Sequence, residues 1–585
     1  MLLVLAICLV LTLVMILFIE KSAVFYNGQL LNPGLAPVLV PVLASFFIFP
    51  AILLTNLVSE NIVSHFGSHR LNQYFHKYSN LFVLLFSTIM VFGIFGRVLA
   101  SKWGVIDDHE IMLFLGRDGK LYLNEIFSTL KLTEVGDFGS FPRYRPSYYV
   151  LRLLECVMWG ANPAYWYAFR LSLLILAVSL FWNFVAPQIG WLGGGLLSAY
   201  MLSFFYWEDI FGRLGPGETY AVLGLPIYIW GLMNAFKADI TKSKYILYGL
   251  AIFLGSIVCI GSKENFLLLF IPSVYVVFRA FRLQKYTLFI FASGSVLFSL
   301  YVGGAVAILM SQTGMDQYSN SVSPLARFSI FLNALFTINI FAHVAILGCL
   351  IIVLGGLLLI CRHSNCLKKT IFQALLWLVV LSVVFFSQLI FYNGAWPTDT
   401  HYDFPGMLYV PVAIYILYLV AEKISSEIPN LKYPRFVIRF GWTVALALLV
   451  FSRGYAPAIE ALEKNVKVTH EFTRRIEQAS FLLKQNPEDA LVLESGSVWD
   501  FEPVFSYERF LRAYGVENPI FLRIHGYSPE IVADGLERSL VIRLLDISNR
   551  GNNLFQPLSQ IENYQNKCFS LNLSGSFETE CQATP

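Results

Sequence analysis

Apolar residues run along this chain in blocks of roughly 20, the length that crosses a bilayer as a helix. The pattern predicts about 13 membrane helices, near residues 2–19, 36–57, 80–100, 165–186, 189–206, 219–236, 244–261, 264–281, 286–310, 342–361, 371–391, 405–421 and 436–452. The first block lacks a basic leader and a small-residue cleavage site, so it is expected to stay as an uncleaved helix. Lys and Arg gather in alternate short loops: Arg70 and Lys77; Lys237, Lys242 and Lys244; Arg279, Arg282 and Lys285; Arg362, Lys368 and Lys369; Lys423, Lys432 and Arg435. Basic loops stay on the cytoplasmic side, which places the N-terminus inside.

The same register puts five polar clusters together on the outer face. They are Asp107-Asp108-His109-Glu110, the stretch Arg143 to Tyr149, Trp207-Glu208-Asp209 with Gly215-Pro216-Gly217-Glu218, Ser262-Lys263-Glu264-Asn265, and Thr398 to Asp403. Connecting loops have no need of such clusters.

The interval 101–164 reads as a large outer loop carrying amphipathic helices, Asn124 to Leu132 and Tyr148 to Trp159, expected to lie along the membrane surface. Ala326 to Phe341 reads similarly. After Arg453 the pattern changes. A charged helical stretch, Ala456 to Gln485, leads into strand-like runs at Ala490 to Leu493 and Pro519 to Ile524, with a helix-like Glu502 to Tyr514 between them. A further helix and strand are expected within Pro529 to Ile547. Residues 454–585 therefore read as a small α/β domain outside the membrane, serving acceptor recognition, and 1–453 as the membrane part.

Composition sharpens this picture. Of 585 residues, 57% are hydrophobic and only 14% charged, well below the quarter or so usual in soluble domains. The net charge of +3 comes with no basic stripe, so nucleic acid is not an expected partner. Cys568 and Cys581 lie in the outer tail and can pair in an oxidising compartment; the alternative is two free thiols.

Asp107 and Asp108 follow directly on an apolar helix, where limited water and like charge favour a raised pKa in one of them. That suits a general base or a metal ligand. Arg143, Arg145 and Arg152 offer planar forks for phosphate oxygens. Lys263, between two apolar helices, either holds a phosphate or pairs with Glu264. Tyr148, Tyr149, Trp159, Tyr165, Trp166 and Tyr167 suit an interfacial aromatic belt, or sugar stacking. Gly212, Gly215 and Gly217 permit a tight turn before Glu218 without forming a phosphate loop. Carboxylates, phosphate-seeking cations and aromatics at head-group depth point to a lipid-phosphate substrate and displacement at a sugar carbon.

These residues resemble the GT-C class of integral-membrane glycosyltransferases, which includes protein O-mannosyltransferases, oligosaccharyltransferases and bacterial enzymes that add aminoarabinose to lipid A. The similarity rests on the acidic motif in the first large outer loop (Asp107, Asp108, Glu110), surface helices in that loop, Arg145-Pro146-Ser147-Tyr148, the Ser262 to Asn265 corner, and His401-Tyr402-Asp403-Phe404-Pro405 before a late helix. In the family the acidic motif follows the first helix; here two more precede it. The resemblance implies an inverting transfer from a polyprenyl-phosphate-linked sugar to a glycan, lipid or protein acceptor, on the non-cytoplasmic face of a multi-pass membrane, with a bacterial inner membrane expected. It implies Asp107 or Asp108 as base, Arg143, Arg145, Lys263 and His401 at the donor phosphate, and Glu110, Tyr148, Glu218, Glu264 and Asp403 at the sugar or acceptor. Some members use a divalent metal (Mg or Mn) and others none, and no metal-ligand spacing decides it here.

The rival readings are a transporter or flippase, a polymerase or ligase of lipid-linked glycans, and an assembly scaffold. A transporter places charges at the bilayer midplane, at a cost of about 2.5–3.5 kcal/mol each. The expected spans hold few, with Arg170 the clearest and near an end. A scaffold leaves the acidic motif without a task.

Overall fold

The computed structural model describes residues 69–116, 118–136, 143–204, 207–236, 241–313, most of 411–422, 434–496, 501–524, 558–564, 567–573 and 577–578, with isolated positions elsewhere. The expected helices at 2–19, 36–57, 342–361 and 371–391, the surface stretch at 326–341, and Pro529 to Ile547 lie outside the described residues, as do His401, Asp403 and Cys581.

Within them the chain is mostly helical. Helix α1 (His69–Phe95) ends in a 3-10 turn, Gly96–Ala100. A short α2 (Asp108–Leu115) and α3 (Pro146–Trp159) belong to the first large loop. There follow α4 (Pro163–Leu202), α5 (Trp207–Phe211), α6 (Glu218–Asn234) and α7 (Lys242–Ser262). A 3-10 segment, Glu264–Leu269, then leads into α8 (Phe270–Arg282), α9 (Tyr286–Thr313) and, later, α10 (Pro434–Arg453). Five of the described helices are long and apolar enough to cross a membrane: Asn80–Ala100, Pro163–Leu202, Lys242–Ser262, Glu264–Arg282 and Tyr286–Leu309. Their outward faces are apolar as well: Leu81 is 62% exposed, and Ile290 and Leu297 are each 65% exposed. That surface suits hydrocarbon and not water.

The two helices expected at 165–186 and 189–206 are both present, joined without a loop inside α4 at Gly190 (φ 81°, ψ 161°), just after Pro187. Trp182 Nε1 donates to the Trp191 carbonyl at 2.9 Å, and a Cβ on Gly194 would sit 2.7 Å from the Trp182 ring. In a straight helix twelve residues span about 18 Å. The chain therefore reverses at Gly190, and α4 is two helices packed against each other.

Beyond Arg453, α11 (Ala456–Gln485) leads to β1 (Ala490–Ser495), α12 (Phe501–Ala513), β2 (Ile520–Ile524), β3 (Cys568–Asn572) and β4 (Phe577–Glu578). The sheet order is β2-β1-β3-β4. β1 runs parallel to β2 and β3, and β4 is antiparallel to β3. β3 lies in what the sequence pattern marks only as a tail, and Cys568 at its start is disulfide-bonded.

Candidate active site

The chain leaves α1 through Ser101, which is extended, and turns into α2 over Gly104 to Asp107. The Gly104 N–H donates to Asp108 Oδ2 at 2.6 Å, closing that turn. Asp107 caps α2 with φ 67° and ψ −35°, a conformation that non-glycine residues avoid unless the surroundings impose it. In that conformation it packs against the loop that carries Gly212, Gly215 and Gly217. Asp107 lies against Gly215, where a Cβ would overlap its carboxylate.

The two neighbouring acids therefore face different worlds. Asp107 is partly exposed, whereas Asp108 is 1% exposed. Asp108 Oδ1 has no hydrogen-bond partner among the described residues. Burial pushes its carboxyl up to about 7; the Gly104 N–H and the charges of Arg152 and Arg170 oppose this, and Asp107 adds to it. Burial also raises the Glu110 carboxyl, against the pull of Arg145.

Beneath the acids lies a buried ionic network. Proline at the start of α3 sets its first turn, because its missing N–H would be unpaired there anyway. Helical spacing then places Tyr148, Tyr149, Arg152 and Glu155 on the buried side. Arg152 and Glu155, the charged residues of this helix, both face in, and each has a partner. Arg152 donates to Tyr148 Oη at 2.9 Å and to the Gly215 carbonyl at 3.1 Å, and also reaches the Leu214 carbonyl. Arg170, from α4, donates to Thr219 Oγ1 at 2.7 Å and to Glu155 Oε2 at 3.4 Å. Tyr220 donates to the same Glu155 oxygen at 2.6 Å. Tyr148 Oη donates to the Gly215 carbonyl at 2.9 Å. Two arginines and a tyrosine thus fasten the 214–216 loop, and one shared carboxylate fixes both arginines.

The expected phosphate cations lie beside this loop and are already engaged. Arg145 makes a two-pronged pair with Glu134, at 3.1 Å and 2.6 Å, and lies over the Tyr148 ring. Lys263 pairs with Glu218 at 2.6 Å, and both members are buried. Gly217 packs directly on the Ser262 carbonyl and on Tyr148. Glu264 is buried, and its Oε1 has no partner among the described residues.

The C-terminal part reaches the same place. Ser506 in α12 pairs with His109 Nδ1 at 2.9 Å and donates to the Val105 carbonyl. In α11, Thr469 Oγ1 accepts from the Lys102 N–H at 3.0 Å, and His470 Nε2 meets the Ala100 carbonyl at 2.8 Å. Burial, followed by the charge of Arg509, holds the His109 imidazole down to about 3.

Four of the five clusters expected from sequence thus converge. Asp107, Tyr148 and Lys263 meet the 214–218 loop directly; Arg145 lies over Tyr148, within electrostatic reach of Glu110 and Glu264, with Arg143 two residues before it. His401 and Asp403, of the fifth cluster, lie outside the described residues. Pattern reading assigns no role to Glu134, Glu155, Thr219 or Tyr220, and marks Arg170 only as a charge in apolar surroundings; Arg152, expected at a phosphate, instead holds Tyr148 and the 214–215 carbonyls. No group of three or more His, Cys, Asp or Glu among the described residues is arranged to hold a metal ion. An apolar cavity of about 30 Å³ is lined by Leu174, Phe181, Phe184, Met201, Trp207 and Val222 among others. It contains no titratable group and so suits hydrocarbon, not chemistry.

No protein-family profile matches the chain, and no curated protein matches it in sequence. Among solved structures it is similar to ArnT from Cupriavidus metallidurans bound to undecaprenyl phosphate, at 12% identity over 85% of this chain and 93% of that one, with a TM-score of 0.42. The apo state of the same protein gives 13% identity over 84% and 92%, with a TM-score of 0.38. Likenesses at this level establish neither fold nor function.

Proposed function

We propose that this chain is a membrane glycosyltransferase that moves a sugar from a polyprenyl phosphate, undecaprenyl phosphate being the natural candidate, to an acceptor hydroxyl on the non-cytoplasmic face. The observation that carries this reading is the convergence of Asp107, Lys263 with Glu218, and Arg145 with Glu134 around one loop. Asp107 is the base of choice: it is the more accessible acid and sits in a strained conformation against Gly215. Asp108, buried and tied to Gly104, braces the turn.

In the proposed step the Asp107 carboxylate takes the proton of the acceptor hydroxyl as that oxygen bonds to the anomeric carbon. The carbon–oxygen bond to phosphate breaks on the opposite side, and its electron pair leaves with the phosphate. One displacement inverts the sugar carbon. Lys263 and Arg145 steady the leaving phosphate by exchanging their carboxylate partners for it, which frees Glu218 and Glu134 for sugar hydroxyls. The apolar outer faces of the spans lie against the lipid tail. A polymerase or ligase of lipid-linked glycans would use the same step.

The test is release of polyprenyl phosphate from a polyprenyl-phosphate sugar by the purified chain in lipid nanodiscs. Asp107→Asn is expected to lower the rate by about a hundredfold or more, the usual scale for a general base, with the protein still folded. A wild-type rate in Asp107→Asn would remove this assignment.

A further inference from the structure

We propose that Arg509, carried by α12, is a phosphate-binding residue of this site, so that the C-terminal part of the chain completes the pocket. The inference rests on the glycosyltransferase reading only for the identity of the lipid; the phosphate chemistry comes from the residue itself.

Its position is fixed by its own helix. Residues three and four apart share a helical face, and on this face of α12 Phe505 and Ser506 already touch the acidic motif. Ser506 pairs with His109 Nδ1 at 2.9 Å. The Phe505 ring lies 6.5 Å from the His109 ring. The Arg509 guanidinium lies over that same Phe505 ring, at 5.6 Å. Arg509 is thereby delivered beside α2, where Glu110, its helix neighbour Glu508 and, from α3, Tyr149 act on its charge.

Its bonding separates it from the other cations. Arg145 and Lys263 hold carboxylates, and Arg152 and Arg170 hold carbonyls and Glu155. Arg509 is half-buried, yet among the described residues it makes no hydrogen bond and no ion pair. Burial opposes its charge, but a guanidinium does not give up its proton in proteins. A desolvated cation of this kind is stabilised by an incoming anion. A phosphate matches its planar fork with two parallel hydrogen bonds. The phosphate can come from the lipid donor or from a soluble phosphate on the acceptor.

The experiment titrates the purified full-length chain in nanodiscs with a polyprenyl phosphate and, separately, with inorganic phosphate, for wild type, Arg509→Gln and Arg509→Lys. Arg509→Gln should weaken phosphate binding by roughly tenfold, and Arg509→Lys by less. Unchanged thermal unfolding and protease resistance will show that α12 stays docked. Loss in the polyprenyl arm assigns the donor phosphate. Loss in the inorganic arm alone assigns a soluble phosphate. If wild type binds inorganic phosphate through Arg509 but no polyprenyl phosphate, the transferase reading falls and this one stands. If Arg509→Gln does not fold, Arg509→Lys decides: a loss of about threefold or more supports the inference. Wild-type affinity in the folded variants, or no binding of either probe by wild type, overturns it.

Discussion

At the scale of single residues, the adjacency of Asp107 and Asp108 conceals two different environments. Sequence marks both as candidates because they follow an apolar helix. It cannot tell them apart, since the distinction comes from the positive φ of Asp107 and from Gly215, which lies more than a hundred positions away. Burial raises the folded-state pKa of Asp108 to about 7 from its ordinary 3.8. A raised acid binds more protons folded than unfolded, so its presence costs stability as pH climbs from the lower value to the upper. Asp108→Asn keeps the acceptor for Gly104 and removes the titration. The thermal midpoint of Asp108→Asn should therefore match wild type near pH 4, rise above it as pH approaches about 7, and keep a constant lead beyond. A pH-independent difference would mean that Asp108 is not held protonated by burial. Arg152 and Arg170 are visible in sequence as misplaced charges. Their partners, Glu155 and the 214–219 loop, are not visible, because a buried ion network is a property of tertiary contact.

At the scale of elements, the C-terminal helices act as a clamp on the acidic loop. Pattern reading finds α11, α12, β1 and β2 because their periodicities are strong, and reads the whole as a separate module for acceptor recognition. It overlooks β3, five residues in a polar tail whose burial depends on pairing with β1. It also overlooks the docking, because Thr469, His470 and Ser506 bond to backbone groups of residues 100–105, and backbone partners leave no mark in sequence. Removing everything after Tyr455 is therefore expected to abolish donor binding and transfer together. Loss of acceptor use alone, with donor binding intact, would show that the acidic loop keeps its shape unaided. His109 supplies a second test. Its folded pKa is depressed to about 3 from 6.5, so its contribution is full above 6.5 and drains away as pH falls through the window toward 3. Protease sensitivity of the linker between α10 and α11 should rise on acidification below about pH 6 in wild type, and His109→Gln should flatten that rise. An equal rise in both proteins would place the acid-sensitive group elsewhere.

At the scale of the whole molecule, the membrane spans are readable because a helix must be both long and apolar to cross lipid, and both properties are linear in sequence. Their packing is less so. The reversal of α4 at Gly190 joins two expected spans, and α6 meets α7 where a Cβ on Gly255 would press within 2.7 Å of the Tyr228 backbone. Gly255→Leu is thus expected to force these helices apart, with the folded yield in membranes falling sharply; normal yield and activity would show that the contact is dispensable. Since α6 begins at Glu218 and α7 ends at Ser262, next to Lys263, this close packing also sets the Lys263–Glu218 pair at the rim.

The claim on which the account depends is that residues from distant loops form one lipid-phosphate site on the outer surface. It is tested most directly by impermeant thiol labelling of intact cells, using Asp107→Cys and Arg145→Cys, each partly exposed in the folded chain and each in an otherwise cysteine-free background. Both positions should react from outside, and added polyprenyl phosphate should slow both. Reaction of either from the cytoplasmic side only, or protection of one without the other, would contradict it.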